Sequence, residues 1–195
     1  MKKKTVIVAD SSANLFQADC ADFMPVPLKI LTDEKEYVDG EALNVASMLA
    51  DLREYKGRSG TSCPSVGDWL QAFGDAEEVY GVSLTSHLSG CYNAACVAAE
   101  EYMEEHPDRR VFILDSLSTG PELELLIEKY WELIETGCTF EKIRERIAEY
   151  LKQTHLLFSL RNIRRVWGST PTLSVPTGLV SVPPTAWDSS RDMAG

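Results

Sequence analysis

Residues 4–14 read KTVIVADSSAN, and this stretch decides the fold. Val6, Ile7, Val8 and Ala9 form an apolar run with no polar interruption. A strand with one wet face would alternate apolar and polar residues. An unbroken β-branched run predicts a strand covered on both faces, as in a parallel sheet between helices. The run stops at Asp10, Ser11 and Ser12, whose short oxygen-bearing side chains can accept backbone amides at the strand's carboxyl end.

The same grammar repeats outward along the chain. EEVYGVSL (77–84) and RVFILDS (110–116) are further predicted strands, and THLLFSL (154–160) is a last one. MPVPLKILTD (24–33) is extended, and Pro25 and Pro27 suit an edge position because proline cannot donate to a sheet ladder. EYVDG (36–40) reads as the tip of a hairpin. Helical spacing marks NVASMLADLREY through Val45, Met48, Leu49 and Leu52, and SVGDWLQAF through Val66, Trp69, Leu70 and Phe73. An alanine-rich helix follows Ser89 and Gly90, and helices over about 120–136 and 139–152 flank Gly137. Strands alternating with helices imply an α/β fold: a mainly parallel sheet with helices on both faces.

Composition removes several functions. The 195 residues carry 30 acidic against 19 basic side chains, a net charge of −11, which disfavours tracking a phosphate backbone, so no nucleic-acid partner is expected. Cys20, Cys63, Cys91, Cys96 and Cys138 are scattered without CxxC or Cys/His spacing, so no metal site is expected. Lys2–Lys4 lead into too short an apolar stretch for a signal peptide, and no run approaches a membrane span, so the expected location is cytoplasmic. Residues 1–162 form the predicted domain. Residues 163–195 hold four of the nine prolines and nine Ser or Thr residues without sustained periodicity, and they read as an irregular tail.

In open α/β sheets, ligands sit beyond the carboxyl ends of the strands. Three hydroxyl-rich loops fall there: DSSAN, LTSHLSG and LDSLSTG. A fourth turn, RSGTSCPS (58–65), gathers Ser59, Thr61, Ser62 and Cys63 around Gly60 and is expected to join them. The residues leave three roles open. Ser89 in HLSGC half resembles a nucleophile elbow, with His87 two residues away. The turns could equally cap helices, or cradle an anion with hydroxyls and helix N-terminal amides. Arg58 is the only basic residue close to them, which suits a carboxylate better than a phosphate.

The ordered set VIVADSSANL, PLKI, YVDG, TSCPSVGDWLQAF, VSLTSHLSGCYNAACVAAE and VFILDSLSTG resembles the DegV family of bacterial fatty-acid-binding proteins over about residues 4–160. The resemblance implies that a long-chain fatty acid, of the C14–C18 class, is held through its carboxylate by Thr61 and Ser62 of TSCPS and by Ser89 and Gly90 of LSGC. It implies no cofactor, no catalysis by this chain, and a separate fatty acid kinase as partner that phosphorylates the bound acid. Three departures stand out: Cys91 where the family motif has a hydroxyl, Pro121–Glu122 after STG, and a sequence beyond LLFSLRNIRR unlike the family's second domain. The alternative expectation is therefore a truncated, DegV-like remnant that cannot bind a ligand by itself.

Overall fold

A computed structural model describes residues 3–18 and 22–157 of the chain. Four parallel strands form the main sheet: β1 (Thr5–Asp10), β2 (Phe23–Val26), β6 (Glu78–Ser83) and β7 (Arg110–Asp115), in the order β2-β1-β6-β7. The apolar run of residues 6–9 lies inside, with β2 on one side (Ile7 opposite Phe23) and β6 on the other (Ile7 opposite Tyr80). β2 carries Pro25 at the sheet edge, where a missing N–H costs nothing on the outer side.

Strand alternation divides β1 between two cores. Ile7 and Ala9 join Tyr80, Val82 and Leu114 under helices α4 (Pro121–Glu135) and α5 (Phe140–Leu151). Val6 and Val8 join Val79 and Ile113 under α2 (Val66–Phe73) and α3 (Cys91–Glu105). Helices thus cover both faces, as the uninterrupted run requires. Ala95, Ala98 and Ala99 are all buried on α3, so this helix lies close to the sheet through small side chains. α2 begins at a capping box in which Ser65 and Asp68 each accept from the other's backbone amide.

A second sheet is absent from the sequence reading. β3 (Lys29–Leu31), β4 (Glu36–Val38) and β5 (Gly60–Ser62) form an antiparallel sheet in the order β4-β3-β5. The hairpin turn lies at Thr32–Lys35, closed by the Thr32 N to Lys35 O bond, so EYV is its second strand and not its tip. Three-residue strands are too short for a period to show. α1 (Val45–Glu54) follows; Met48 is its one buried residue, and Val45 and Leu49 are about half exposed. Residues 154–157 form no strand: Thr154 turns back to bond Glu122 instead. The rest of the expected last strand and the expected tail, 163–195, lie outside the described residues.

Unequal packing gives a direct test. Ile147 of α5 is fully buried against the sheet. Ile147→Ala should lower the unfolding free energy by about 2–5 kcal/mol. Val45→Ala on the thinly packed α1 should change it by less than about 1 kcal/mol. Equilibrium urea denaturation measures both.

Candidate functional site

Because β1, β6 and β7 are parallel, their carboxyl ends and the loops that follow share one edge. Much of the polarity there braces the loops. The buried Asp10 carboxylate accepts from Leu84 N at 2.7 Å, Ser12 N at 3.1 Å and Ser12 Oγ at 2.5 Å. Asp115 Oδ1 accepts from both Ser86 N and Leu117 N at 3.1 Å. The Ser116 hydroxyl donates to Ser118 O and accepts from Ser118 N, and Thr85 N donates to the same Ser118 O. Burial raises the Asp10 carboxyl above the usual carboxylate range, against the opposing pull of its Ser12 and Leu84 donors.

Ser11 joins the small sheet to this edge. Its Oγ donates to Asp39 Oδ2 at 2.7 Å and accepts from Leu28 N at 3.0 Å, at the two ends of the β3–β4 hairpin. β5 pairs with β3, Thr61 opposite Ile30, and so carries the 58–65 turn toward the main sheet. The turn arrives beside α3: a Cβ on Gly90 would stand 3.5 Å from Cys63 Sγ. Two segments 27 residues apart in sequence thus meet.

Among the expected site residues, Thr61 is exposed, and Ser62 is half-buried with its Oγ donating to Cys63 O at 3.1 Å. Ser89 is half-buried; its Oγ lies 3.1 Å from Cys91 Sγ and accepts from Cys91 N at 3.3 Å. Its hydrogen-bond partner is therefore Cys91 and not His87, which is exposed on the loop. Gly90 is the N-cap of α3, whose first-turn amides have no intrahelical acceptor. Cys91 is fully buried, and burial pushes its thiol up to about 12; the Ser89 bond opposes this, while Asp10 and Cys63 add to it. The side chain at the departed motif position thus points into the protein.

Sequence reasoning missed Cys63 as the contact to α3 and Ser118, whose buried Oγ has no partner. Membership in a hydroxyl-rich motif was the only signal for either. Two clefts lie elsewhere. One of about 610 Å³ is lined by charged and phenolic groups including Asp33, Lys35, Tyr37, Asp51 and Tyr55. The other, about 460 Å³, is lined by Phe112, Glu141, Arg144, Glu145 and Ala148. No group of three His, Cys, Asp or Glu side chains among the described residues could hold a metal ion.

Residues 4–167 match the family model described as "Uncharacterised protein, DegV family". The chain belongs to the DegV family. A DegV domain-containing protein of Streptococcus pneumoniae is 37% identical over 161 residues, covering 80% of this chain and 57% of the relative. A DegV family protein from Eubacterium eligens, solved loaded with heptadecanoic acid, is 40% identical with a TM-score of 0.74 over 76% of this chain and 54% of that one. The Fatty Acid Kinase (Fak) B3 protein of S. pneumoniae, solved loaded with linoleic acid, is 36% identical with a TM-score of 0.75 and the same coverage. This DegV chain therefore spans about half the length of the relatives it matches. No helix among its described residues is long and apolar enough to cross a membrane.

The Asp10 shift carries a sign. With its folded value raised, Asp10 holds its proton to higher pH in the native than in the unfolded chain. Its contribution to stability is complete at low pH and is lost as pH rises through the raised value. The unfolding free energy of the parent minus that of Asp10→Asn should therefore fall as pH increases through the acid range. Denaturant titrations at stepped pH measure it, and a difference that rises with pH contradicts burial as the dominant influence.

Proposed function

We propose that this DegV chain binds a long-chain fatty acid through its carboxylate, with Thr61, Ser62, Ser89 and Gly90 around the head group. The single observation that carries the reading is the meeting of the two turns: the Cys63 thiol stands against Gly90, so TSCPS and LSGC form one locus. Thr61 and Ser62 supply hydroxyls from one side; Ser89 and the first-turn amides of α3 other than Cys91 N supply donors from the other. Neutral donors suit a carboxylate, and a glycine at position 90 lets a ligand oxygen approach the helix end. The relatives solved with heptadecanoic and linoleic acids support the ligand class.

The energetics fit a carrier. Each buried methylene contributes about 0.8 kcal/mol before the costs of association. Each hydrogen bond to the charged head group adds about 1.5–3 kcal/mol. The chain itself performs no chemistry in this proposal. It works in the cytoplasm and presents a C14–C18 acid to a separate fatty acid kinase, a role suggested by the kinase-component relative.

One observation favours the contrary reading, a remnant without self-sufficient binding. Charged side chains make up most of the lining of both clefts described above, among them Asp33, Lys35 and Asp51 in one and Glu141, Arg144 and Glu145 in the other, which does not suit an acyl chain. Mass spectrometry of an organic extract from freshly purified protein separates the two. A co-purified C14–C18 acid supports the binder. Failure of the delipidated, folded chain to bind palmitate at micromolar concentration supports the remnant.

Within the binder, Thr61→Val should weaken palmitate by about 1–3 kcal/mol, the loss of one charged hydrogen bond. Cys91→Ser should change affinity much less, because that side chain is fully buried. Calorimetric titration of both variants checks the assignment; equal affinity of Thr61→Val and the parent places the head group at another turn.

A further inference from the structure

The two turns that meet at the proposed head-group locus each carry a thiol. Cys63 lies on the turn after β5, half-buried, with its Sγ 3.5 Å from the place a Gly90 Cβ would occupy. Cys91 is the very next residue, the first of α3, and both cysteines are free. A disulfide needs Cβ atoms about 3.5–4.5 Å apart, and the Cys63 thiol stands one ordinary contact distance from the Cβ position of the residue adjoining its counterpart. The two thiols are also within electrostatic reach of each other. Cys96 and Cys138 are placed differently: Cys96 interacts with Tyr92 one helical turn away, and Cys138 with Thr136 and Arg146.

We propose that Cys63 and Cys91 form an oxidisable dithiol that closes the junction between the two turns. The oxidant is a low-molecular-weight disulfide such as oxidised glutathione. The Cys63 thiolate attacks one sulfur of the oxidant, forming a mixed disulfide and releasing one glutathione thiolate. Cys91, after giving up its proton to solvent, attacks Cys63 Sγ, forming the Cys63–Cys91 bond and releasing the second glutathione thiolate, which takes up a proton. The chain loses two electrons and two protons, and one oxidised glutathione becomes two reduced ones. The sequence starts at Cys63 because that thiol is partly exposed, whereas Cys91 is buried and held protonated by its surroundings. The bond ties the 62–64 turn to the first residue of α3, between the motifs that carry Thr61 and Ser62 on one side and Ser89 on the other. Its effect on ligand binding rests on the carboxylate-binding proposal above.

The full-length chain, treated with oxidised glutathione and then blocked with a maleimide, decides the matter. By intact mass, the oxidised chain should carry two fewer maleimide adducts than the reduced chain blocked in the same way and, apart from the adducts, two fewer hydrogens. Chymotryptic digestion, which separates Cys63, Cys91 and Cys96 by cutting after the intervening aromatic residues, should yield a Cys63–Cys91 linked species that reduction splits. Cys63→Ser should abolish the link, and Cys91→Ser should leave a glutathione adduct at position 63. A link between any other pair, or a glutathione adduct that persists at Cys63 in the parent, overturns the dithiol. The oxidised chain should bind palmitate at least about tenfold more weakly than the reduced chain, about 1.4 kcal/mol. A linked pair with unchanged palmitate affinity overturns the closure of the site. If the reduced chain binds no palmitate, the proposed function fails, and the peptide map still decides the dithiol.

Discussion

A buried carboxylate organises the carboxyl edge of the main sheet. Asp10 ends the central strand with no exposure to solvent, and its acceptor oxygens must be filled or the fold loses the desolvation energy of a carboxyl. They are filled by Ser12 on its own turn and by Leu84 at the end of the neighbouring strand. That pairing fixes the start of the loop that leads to Ser89 and α3. One residue on, Ser11 does the same for the small sheet through Leu28 and Asp39. Two adjacent side chains thus set where both hydroxyl turns can lie, although neither side chain belongs to the turns themselves.

The layers of this structure were legible because burial leaves a trace, an unbroken apolar run in a strand covered on both faces and helical spacing in a helix covered on one. Residues 6–9 alternate between two cores, and α2 shows Trp69 and Phe73 on its inner face. The small sheet left no such trace. Lys29–Leu31, Glu36–Val38 and Gly60–Ser62 are each three residues long and mostly half-exposed, so packing barely constrains their composition. The fourth turn was expected among the strand ends of one sheet; it arrives there from a different sheet. The motifs marked both turns as unusual, yet no property of the 58–65 stretch announces that Cys63 meets Gly90. The turn is carried there by β5 pairing with β3, whose hairpin Ser11 binds at Leu28 and Asp39, residues remote from the 58–65 stretch in sequence.

The proposal of an anionic ligand on an acidic body is less contradictory than the net charge of −11 suggests. Charges separated by more than about 8 Å are largely screened at physiological ionic strength. A head group therefore responds to its nearest donors. Around the meeting turns these are hydroxyls and amides. The acidic groups at the ends of the neighbouring strands, Asp10 and Asp115, and Asp68 beside Ser65 already receive bonds from backbone amides. Hydrogen-bond donors of this kind discriminate by geometry, whereas a lysine would attract any anion.

The bond from Leu84 to Asp10 spans 74 residues of chain. During synthesis, Asp10 leaves the ribosome before its acceptor sites can be satisfied. At about 5–20 residues per second, Leu84 follows on the order of 4–15 s later. Through that interval the VIVA run lacks its β6 neighbour and the helices α3, α4 and α5 that cover its faces, so an apolar segment waits for most of its cover. Non-local pairing of this kind also slows refolding, because loop closure precedes any reward from contact. The strand that is best buried in the native sheet is thus, for a few seconds of each molecule's life, an apolar segment without its cover.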